Sequence, residues 1–384
     1  MRKICVVTGS RAEFGLMSGI MRAIANDPEL QLQVIATNMH LSPEFGMTYH
    51  EIERAGFTID KKVYMLLSSD TPNATAKSVG LGFVSFADAY EDLKPDMIMV
   101  LGDRFEIIAA VSTALFFKIP VAHLHGGEIT EGAYDDCIRH SITKMSHLHF
   151  TSTEEYRNRV IQLGEDPKRV FNVGAPGIEN IKKVPLLSKE ELEDTLDGFK
   201  LGDKSLLVTY HPVTLENSTA EGQIKNLLAA LEEFPEYHVI FTLPNSDTDG
   251  RIIIKLINEF VAAHPGRATA YPSLGLKRYL SALKYVNAAV GNSSSGIIEV
   301  PSFGIPTLNI GDRQRGRLAA ESVVNCGTSK EEILEGLNKI LSPDFKIKDI
   351  KNPYEGKNTT ADIVNVLKTF PLEGLIQKSF YNLK

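Results

Sequence analysis

The chain has 384 residues, which at roughly 150 per domain favours two domains of similar size and excludes a disulfide-held mini-protein. Hydrophobic residues make up 43% and charged residues 23%, so each half can bury a full core and bulk disorder is excluded. With 41 Lys and Arg against 48 Asp and Glu the formal charge is −7, which argues against a general nucleic-acid binder but leaves room for a local cationic pocket.

From the N-terminus, only a four-residue apolar run precedes Thr8, too short for a signal-peptide core, and residues 4–8 read as a first strand. Val- and Ile-rich runs at 33–37, 97–101, 121–124, 148–151 and 170–173 continue one sheet, with helical periodicity at 47–55, 105–116, 135–145 and 154–163 between them. The longest apolar stretch, 107–117, stops at Lys118 and Pro120, well short of the roughly 20 residues a membrane span needs, so no membrane partner is expected. Pro176 through Pro185 to Ser188 reads as the boundary. A second series follows, with strands at 206–210, 239–243, 288–290 and 307–310 and helices at 223–234, 251–263 and 330–341. The predicted class is α/β, two doubly wound Rossmann-like domains facing a cleft, with ligands at the carboxyl ends of the strands. Cys5, Cys137 and Cys326 show no C-x-x-C spacing, which excludes a disulfide frame or Cys-rich zinc site and points to the cytoplasm.

Cofactor motifs are missing. No G-x-x-x-x-G-K-S/T occurs, and Gly80-Leu81-Gly82 lacks the third glycine and a preceding strand, so neither an NTPase nor an NAD enzyme is indicated. No G-x-S-x-G elbow makes Ser293 to Ser295 hydrolase nucleophiles.

The polar residues that follow strands carry the chemistry. Thr8-Gly9-Ser10-Arg11 leads into a helix, where backbone N–H groups and the Arg11 guanidinium can receive an anion; the plain alternative is a βα turn with an exposed arginine. Asp103 follows the 97–101 strand, and His123-Leu124-His125-Gly126-Gly127-Glu128 ends the next, with alternation placing His123 and His125 on one side. Asp135 opens a helix in the acidic first turn that the helix dipole favours. Asp103, His125, Glu128 and Asp135 thus come from three successive segments, two strand ends and a helix start, an arrangement suited to general acid–base chemistry and holding no nucleophile. The H-x-H spacing also fits a metal, but no H-E-x-x-H follows, and no metal is expected. In the second series His211, Asn245 and Asn292-Ser293-Ser294 end strands, the last offering hydroxyls and helix N–H groups for a diphosphate. Glu299 lies in reach of ribose hydroxyls, and Arg313 directly follows the 307–310 strand.

Taken in order, TGSRAEFG, LGDRFE, HLHGGE, DDCIRHSITKMSHLH, YHPVT and GNSSSGIIEVPSFGIPTLNIGDRQ resemble the hydrolysing UDP-N-acetylglucosamine 2-epimerases of bacterial sialic-acid pathways, over residues 2 to about 353. The resemblance implies a fold like that of the GT-B glycosyltransferases, with the stretch 360–370 crossing back onto the first domain. The division expected is 1–176, 177–355 and 356–384. It implies UDP binding by Ser293, Ser294, Glu299 and Arg313, with Asn245 and Asn292 beside them and Arg11 reaching the diphosphate from the first domain. It implies catalysis by Asp103, Asp135 and His211. Some members carry H-I-E-G-G-E where this chain has H-L-H-G-G-E, so His125 stands where they have a glutamate, and either His125 or Glu128 takes that role. The reaction implied is UDP-N-acetylglucosamine plus water to N-acetylmannosamine and UDP, through 2-acetamidoglucal, without a cofactor, in a cytoplasmic homo-oligomer. The alternatives are the same reaction on a 2,4-diacetamido-2,4,6-trideoxyhexose, a GT-B glycosyltransferase, and a sugar-nucleotide sensor.

Overall fold

The computed structural model describes residues 1–216, 219–247, 249–345, 347 and 350–383. Its chain divides into two compact units. The first comprises Met1–Glu128, Asp135–Asn180 and the chain from Tyr354 onward; the second comprises Ile129–Tyr134 and Ile181–Pro353.

In the first unit β1 (Arg2–Thr8), β2 (Leu30–Thr37), β3 (Lys61–Val63), β4 (Met97–Leu101), β5 (Val121–Leu124), β6 (Leu148–Thr151) and β7 (Val170–Asn172) form one parallel sheet in the order 3-2-1-4-5-6-7. The second unit repeats the design. There β8 (Ser205–Thr209), β9 (His238–Thr242), β10 (Ala268–Tyr271), β11 (Ala288–Gly291), β12 (Thr307–Ile310) and β13 (Val323–Cys326) are ordered 10-9-8-11-12-13. Each order reverses direction at its centre, between β1 and β4 and between β8 and β11. There the connecting helices leave on opposite faces, and the strand ends open a crevice.

Unbroken apolar runs form these strands because both sheet faces are covered. In β1, Ile4 and Val6 pack towards the helix Arg11–Asn26, while Cys5 and Val7 pack towards Phe86 and Ala110 on the opposite face. The last helix, Thr359–Thr369, adds Ile363 and Leu367 to the first of these layers, and Lys368 pairs with Asp27 and Glu29 at 3.1 and 3.0 Å. The chain therefore returns to the first unit, as the resemblance implied.

Three short strands, β3, β10 and β13, were not foreseen, nor was the helix Pro72–Leu93. That helix holds Gly80-Leu81-Gly82, and a Cβ at Gly82 would meet the Ala109 Cβ at 2.9 Å. Helix packing, not a phosphate, accounts for Gly82. No helix among the described residues is long and apolar enough to cross a membrane.

Candidate active site

In the first unit the loops after β4 and β5 meet around one guanidinium. Asp135 and Asp136 open the helix Asp135–Met145, and one turn later Arg139, 3% exposed, points to the strand ends. Arg139 Nη1 donates to His125 O at 3.0 Å and approaches Glu128 Oε2 at 3.5 Å, and Nη2 is ion-paired with Asp103. Asp103 and Glu128 thus share one cation, with Asp135, buried, at the start of the same helix.

His125 is not where strand alternation put it. β5 ends at Leu124, and His125 takes a left-handed backbone with φ 64°, its N–H donating to Phe150 O at 3.0 Å. This turns the ring onto Glu128, Nδ1 to Oε1 at 2.5 Å, and Ser152 Oγ donates to the same oxygen at 2.7 Å. Nε2 is buried and has no partner among the described residues. His123, by contrast, stays in the strand, bonded to Gly102 O at 2.7 Å and to Thr143 Oγ1 at 3.3 Å, and burial pulls it down to about 3. It is a satisfied core histidine.

The loop after β1 is already occupied by the protein's own groups. Gly9 N donates to Glu13 Oε2 at 2.7 Å, and Arg11 is ion-paired with Glu51 of the helix Tyr49–Arg54, so this N–H is not open to a ligand as the sequence suggested. Beneath Gly9 lie two buried carboxyls, Glu13 and Glu106, the latter accepting Arg104 Nε at 2.9 Å. Burial, with the charge of Glu106 next, pushes Glu13 up to about 8.

In the second unit Asn292 ties the loops after β8 and β11 together, its Oδ1 accepting His211 N at 2.7 Å and its Nδ2 donating to His211 O at 2.8 Å. Gly291, at φ 131°, permits the turn, because a Cβ there would strike the Thr209 carbonyl. Arg313 Nη1 and Gln314 Nε2 donate to Asn292 O at 3.1 and 2.9 Å, bringing the loop after β12 to the same place. Ser293 and Ser294 lie half-buried in this loop, Ser295 accepts Tyr279 OH at 2.6 Å, and Glu299 is buried beyond it. The helix here, Ser295–Ile298, is a single turn and carries little dipole, so the groups suited to an anion in this loop are its hydroxyls and Arg313. Asn245 stands apart, after β9. Segment 129–134 belongs to this unit: Glu131 N donates to Arg315 O at 3.3 Å and Tyr134 N to Thr214 Oγ1 at 3.1 Å.

Residues 22–368 match the family described as UDP-N-acetylglucosamine 2-epimerase. This chain belongs to that family. The epimerase is 45% identical over 345 residues to the hydrolysing GDP/UDP-N,N'-diacetylbacillosamine 2-epimerase of Campylobacter jejuni, covering 90% of this chain and 89% of that one. It is 40% identical over 389 residues to the polysialic acid biosynthesis protein P7 of Escherichia coli, covering 100% and 98%. Its fold matches the crystal structure of a Neisseria meningitidis UDP-GlcNAc 2-epimerase bound to UDP-GlcNAc, with a TM-score of 0.78, 20% identity and coverage of 95% and 99%.

Of the residues singled out in the sequence, the first unit brings together Asp103, His125 and Glu128 around Arg139, and the second brings together His211, Asn292, Ser293 and Arg313. Arg139, Ser152 and Gln314 were missed. Arg139 was visible in DDCIRH, four residues after Asp135 and hence on its helix face.

Proposed function

We propose that this epimerase is hydrolysing, converting UDP-N-acetylglucosamine and water to N-acetylmannosamine and UDP. The observation that carries this is His125, whose Nδ1 is held by Glu128 and whose Nε2 has no partner among the described residues, with Asp103 bound by Arg139 on the neighbouring strand end. A carboxylate on Nδ1 leaves the lone pair on Nε2, which suits a general base. His125 removes the C2 proton, the electron pair forms the C1–C2 double bond, and UDP departs from C1, giving 2-acetamidoglucal. Water then adds at C1, and a carboxyl group, Asp103 or Asp135, protonates C2 from the opposite face, with His211 as a further polar group. Ser293, Ser294 and Arg313, with Arg11, stabilise charge on the departing diphosphate, where fixed donors act most strongly. Glu299 binds the ribose, and Asn245 and Asn292 complete the nucleotide contacts. No step needs a redox cofactor, because the C2 carbon ends at its starting oxidation level. The three cysteines are unpaired, which fits a reducing cytoplasm.

A second reading differs only at C4 and C6 of the sugar. The 45% identity to a diacetylbacillosamine enzyme favours a UDP-2,4-diacetamido-2,4,6-trideoxyhexose, and the 40% identity to a polysialic acid biosynthesis protein favours UDP-N-acetylglucosamine. Proton NMR of the purified protein with each UDP-sugar, in D2O containing EDTA, tests both. The expected product is free 2-epimeric sugar deuterated at C2, with one UDP released per sugar. Protium at C2, a UDP-linked epimer, or turnover only with an added acceptor sugar would overturn the hydrolysing assignment.

A further inference from the structure

The last residues of the chain fasten onto the first unit. After the helix Thr359–Thr369 the tail turns through Leu375, which is buried, and the carbonyls of Leu375 and Gln377 accept from Arg169 Nη1 and Nη2 at 2.9 and 3.1 Å. Tyr381 N donates to Gly164 O at 2.9 Å, and the Phe380 ring lies so close to Gly164 that a Cβ there would stand 2.5 Å from it. Lys144 Nζ sits 5.1 Å from the centre of the same ring. Chain ends commonly fray unless tied down, and this one is tied at several points.

Lys378 is the group this tail delivers. Its Nζ donates to Lys144 O at 2.8 Å, to Ser146 O at 2.7 Å and to Glu165 Oε2 at 2.7 Å, so all three ammonium protons are engaged. Lys144 lies in the last turn of the helix Asp135–Met145, where carbonyls lack partners within the helix and a cation complements the helix dipole. Glu165, buried, also bonds His149 Nε2 at 3.1 Å and Lys144 Nζ at 2.5 Å. Against the upward pull of burial, the His149 bond and the two lysines bring the Glu165 carboxyl down to about 2, so it stays ionised at neutral pH.

Two elements therefore meet at one ammonium, and both carry the candidate site. The helix Asp135–Met145 holds Asp135 and Arg139, with Arg139 five residues, about 7.5 Å along the axis, before Lys144. Strand β6 holds His149 and then Phe150, whose carbonyl accepts His125 N, and it leads to Ser152, bonded to Glu128. A shift of that helix against β6 moves Arg139 relative to Asp103, and about 1 Å of misplacement can cost about 10²-fold in rate. Lys378, Glu165 and His149 have no part in the reaction derived above. Buried ion pairs seldom stabilise a fold more than apolar packing does, which points to geometry as what this cluster supplies.

We propose that Lys378 is a positioning residue of the epimerase: seated by Arg169 and Phe380, it fixes the end of the helix Asp135–Met145 to β6 and so sets Arg139 and Asp135 against Asp103 and His125. This role rests on the reading of that site as the place where the C2 proton moves.

Deuterium entering C2 of the sugar in D2O tests it, with UDP-N-acetylglucosamine or the diacetamido-trideoxy sugar nucleotide as substrate, because a 2-epimerase that breaks the C2–H bond shows it whether or not UDP is released. Lys378→Met keeps the apolar stem and leaves Glu165 its bond to Lys144. Expected are kcat lowered by about tenfold or more with KM and calorimetric UDP affinity within about twofold of wild type, and faster amide exchange over residues 136–146 and 148–152. Phe380→Ala, which alters an exposed ring, should lower kcat by about threefold with the same split. Wild-type kcat in a folded Lys378→Met, a loss confined to KM, or unchanged exchange over both segments would overturn the role, and so would wild-type kcat in Phe380→Ala where Lys378→Met fails to fold. His125→Asn separates the two readings: deuterium incorporation at the wild-type rate in that variant overturns the assignment of the site itself.

Discussion

His125 Nδ1 lies 2.5 Å from Glu128 Oε1, and Ser152 Oγ holds the same oxygen from the other side at 2.7 Å. The carboxylate can only accept, so Nδ1 carries a proton, and in the neutral ring Nε2 is then the acceptor. In the proposed mechanism the two side chains that compete for one role in the sequence divide it, Glu128 orienting and His125 acting. His125→Asn and Glu128→Gln are each expected to lower kcat by about 10²- to 10⁴-fold, the range for general acid–base groups, with UDP affinity unchanged. Steady-state UDP release paired with calorimetric UDP titration measures both, and normal kcat in Glu128→Gln would remove the dyad from the mechanism.

Arg139 is the cation for Asp103 and Glu128 at once. A lysine ammonium cannot span the three oxygens that the guanidinium fork reaches, so Arg139→Lys should fold but lose at least tenfold in kcat. Arg139→Ala leaves two carboxylates uncompensated in a buried site and should cost about 3 to 5 kcal/mol in urea denaturation.

Glu13 and Glu106 both lie buried beneath Gly9, where Arg104 Nε donates to Glu106, and burial together with the Glu106 charge disfavours ionisation of Glu13. Folded, Glu13 holds its proton up to about pH 8, whereas its ordinary value is 4.5. Between those values the native state binds the extra proton, so stability falls as pH rises, by up to about 1.4 kcal/mol per pH unit. Glu13→Gln keeps the acceptor for Gly9 N and needs no proton. Denaturation curves at pH 6 and pH 8.5 should show the variant losing less stability than wild type; equal losses would place the buried proton elsewhere.

Burial pulls His40 down to about 4 and His123 to about 3, against an ordinary 6.5. Here the unfolded chain binds more protons, so stability is lost as pH falls from 6.5 towards 4, by up to about 1.4 kcal/mol per pH unit for each histidine. His40 bridges Thr8 and Thr48 at 3.1 and 2.8 Å, and His123 holds the Gly102 carbonyl before Asp103, so acid should loosen the strand ends that carry the site. In the Glu13→Gln background, which removes the opposing contribution of that carboxyl, stability should drop from pH 7 to pH 5, and independence of pH in this range would contradict the neutral assignment.

In the second unit Glu299→Ala should raise KM and weaken UDP binding by about 1.5 to 3 kcal/mol if a hydrogen bond to a charged group is lost. Arg313→Ala should lower kcat as well, because a diphosphate contact strengthens as the leaving group gains charge. Calorimetry and kinetics on both variants check this split; an Arg313→Ala enzyme with wild-type kcat would confine that arginine to ground-state binding.

Much of the site was legible because both sheets are parallel and their strands announce themselves as apolar runs. Each polar group immediately beyond such a run, Asp103, His211, Asn292 or Arg313, falls at a strand end by chain order alone. β3, β10 and β13 escaped notice because they are three or four residues long at or near sheet edges, where too few apolar positions accumulate to make a pattern. The Gly9 loop misled for a different reason: Glu13 lies in the next helical turn, and nothing in its spacing tells that its carboxylate folds back onto Gly9 N.

The amino-acid sequence by itself determined two Rossmann-like units, the order of their polar loops and the membership of the family, because burial on both faces of a parallel sheet leaves a one-dimensional signature. The pairing of His125 with Glu128 was decided only in three dimensions. One left-handed residue at φ 64° ends the alternation of β5, and the ring then turns to a carboxylate three positions on, held from β6's end by Ser152 and from a separate helix by Arg139. Hydrogen bonds among groups from three chain segments have no counterpart in local periodicity, so the contacts that orient the His125 ring belong to the tertiary structure.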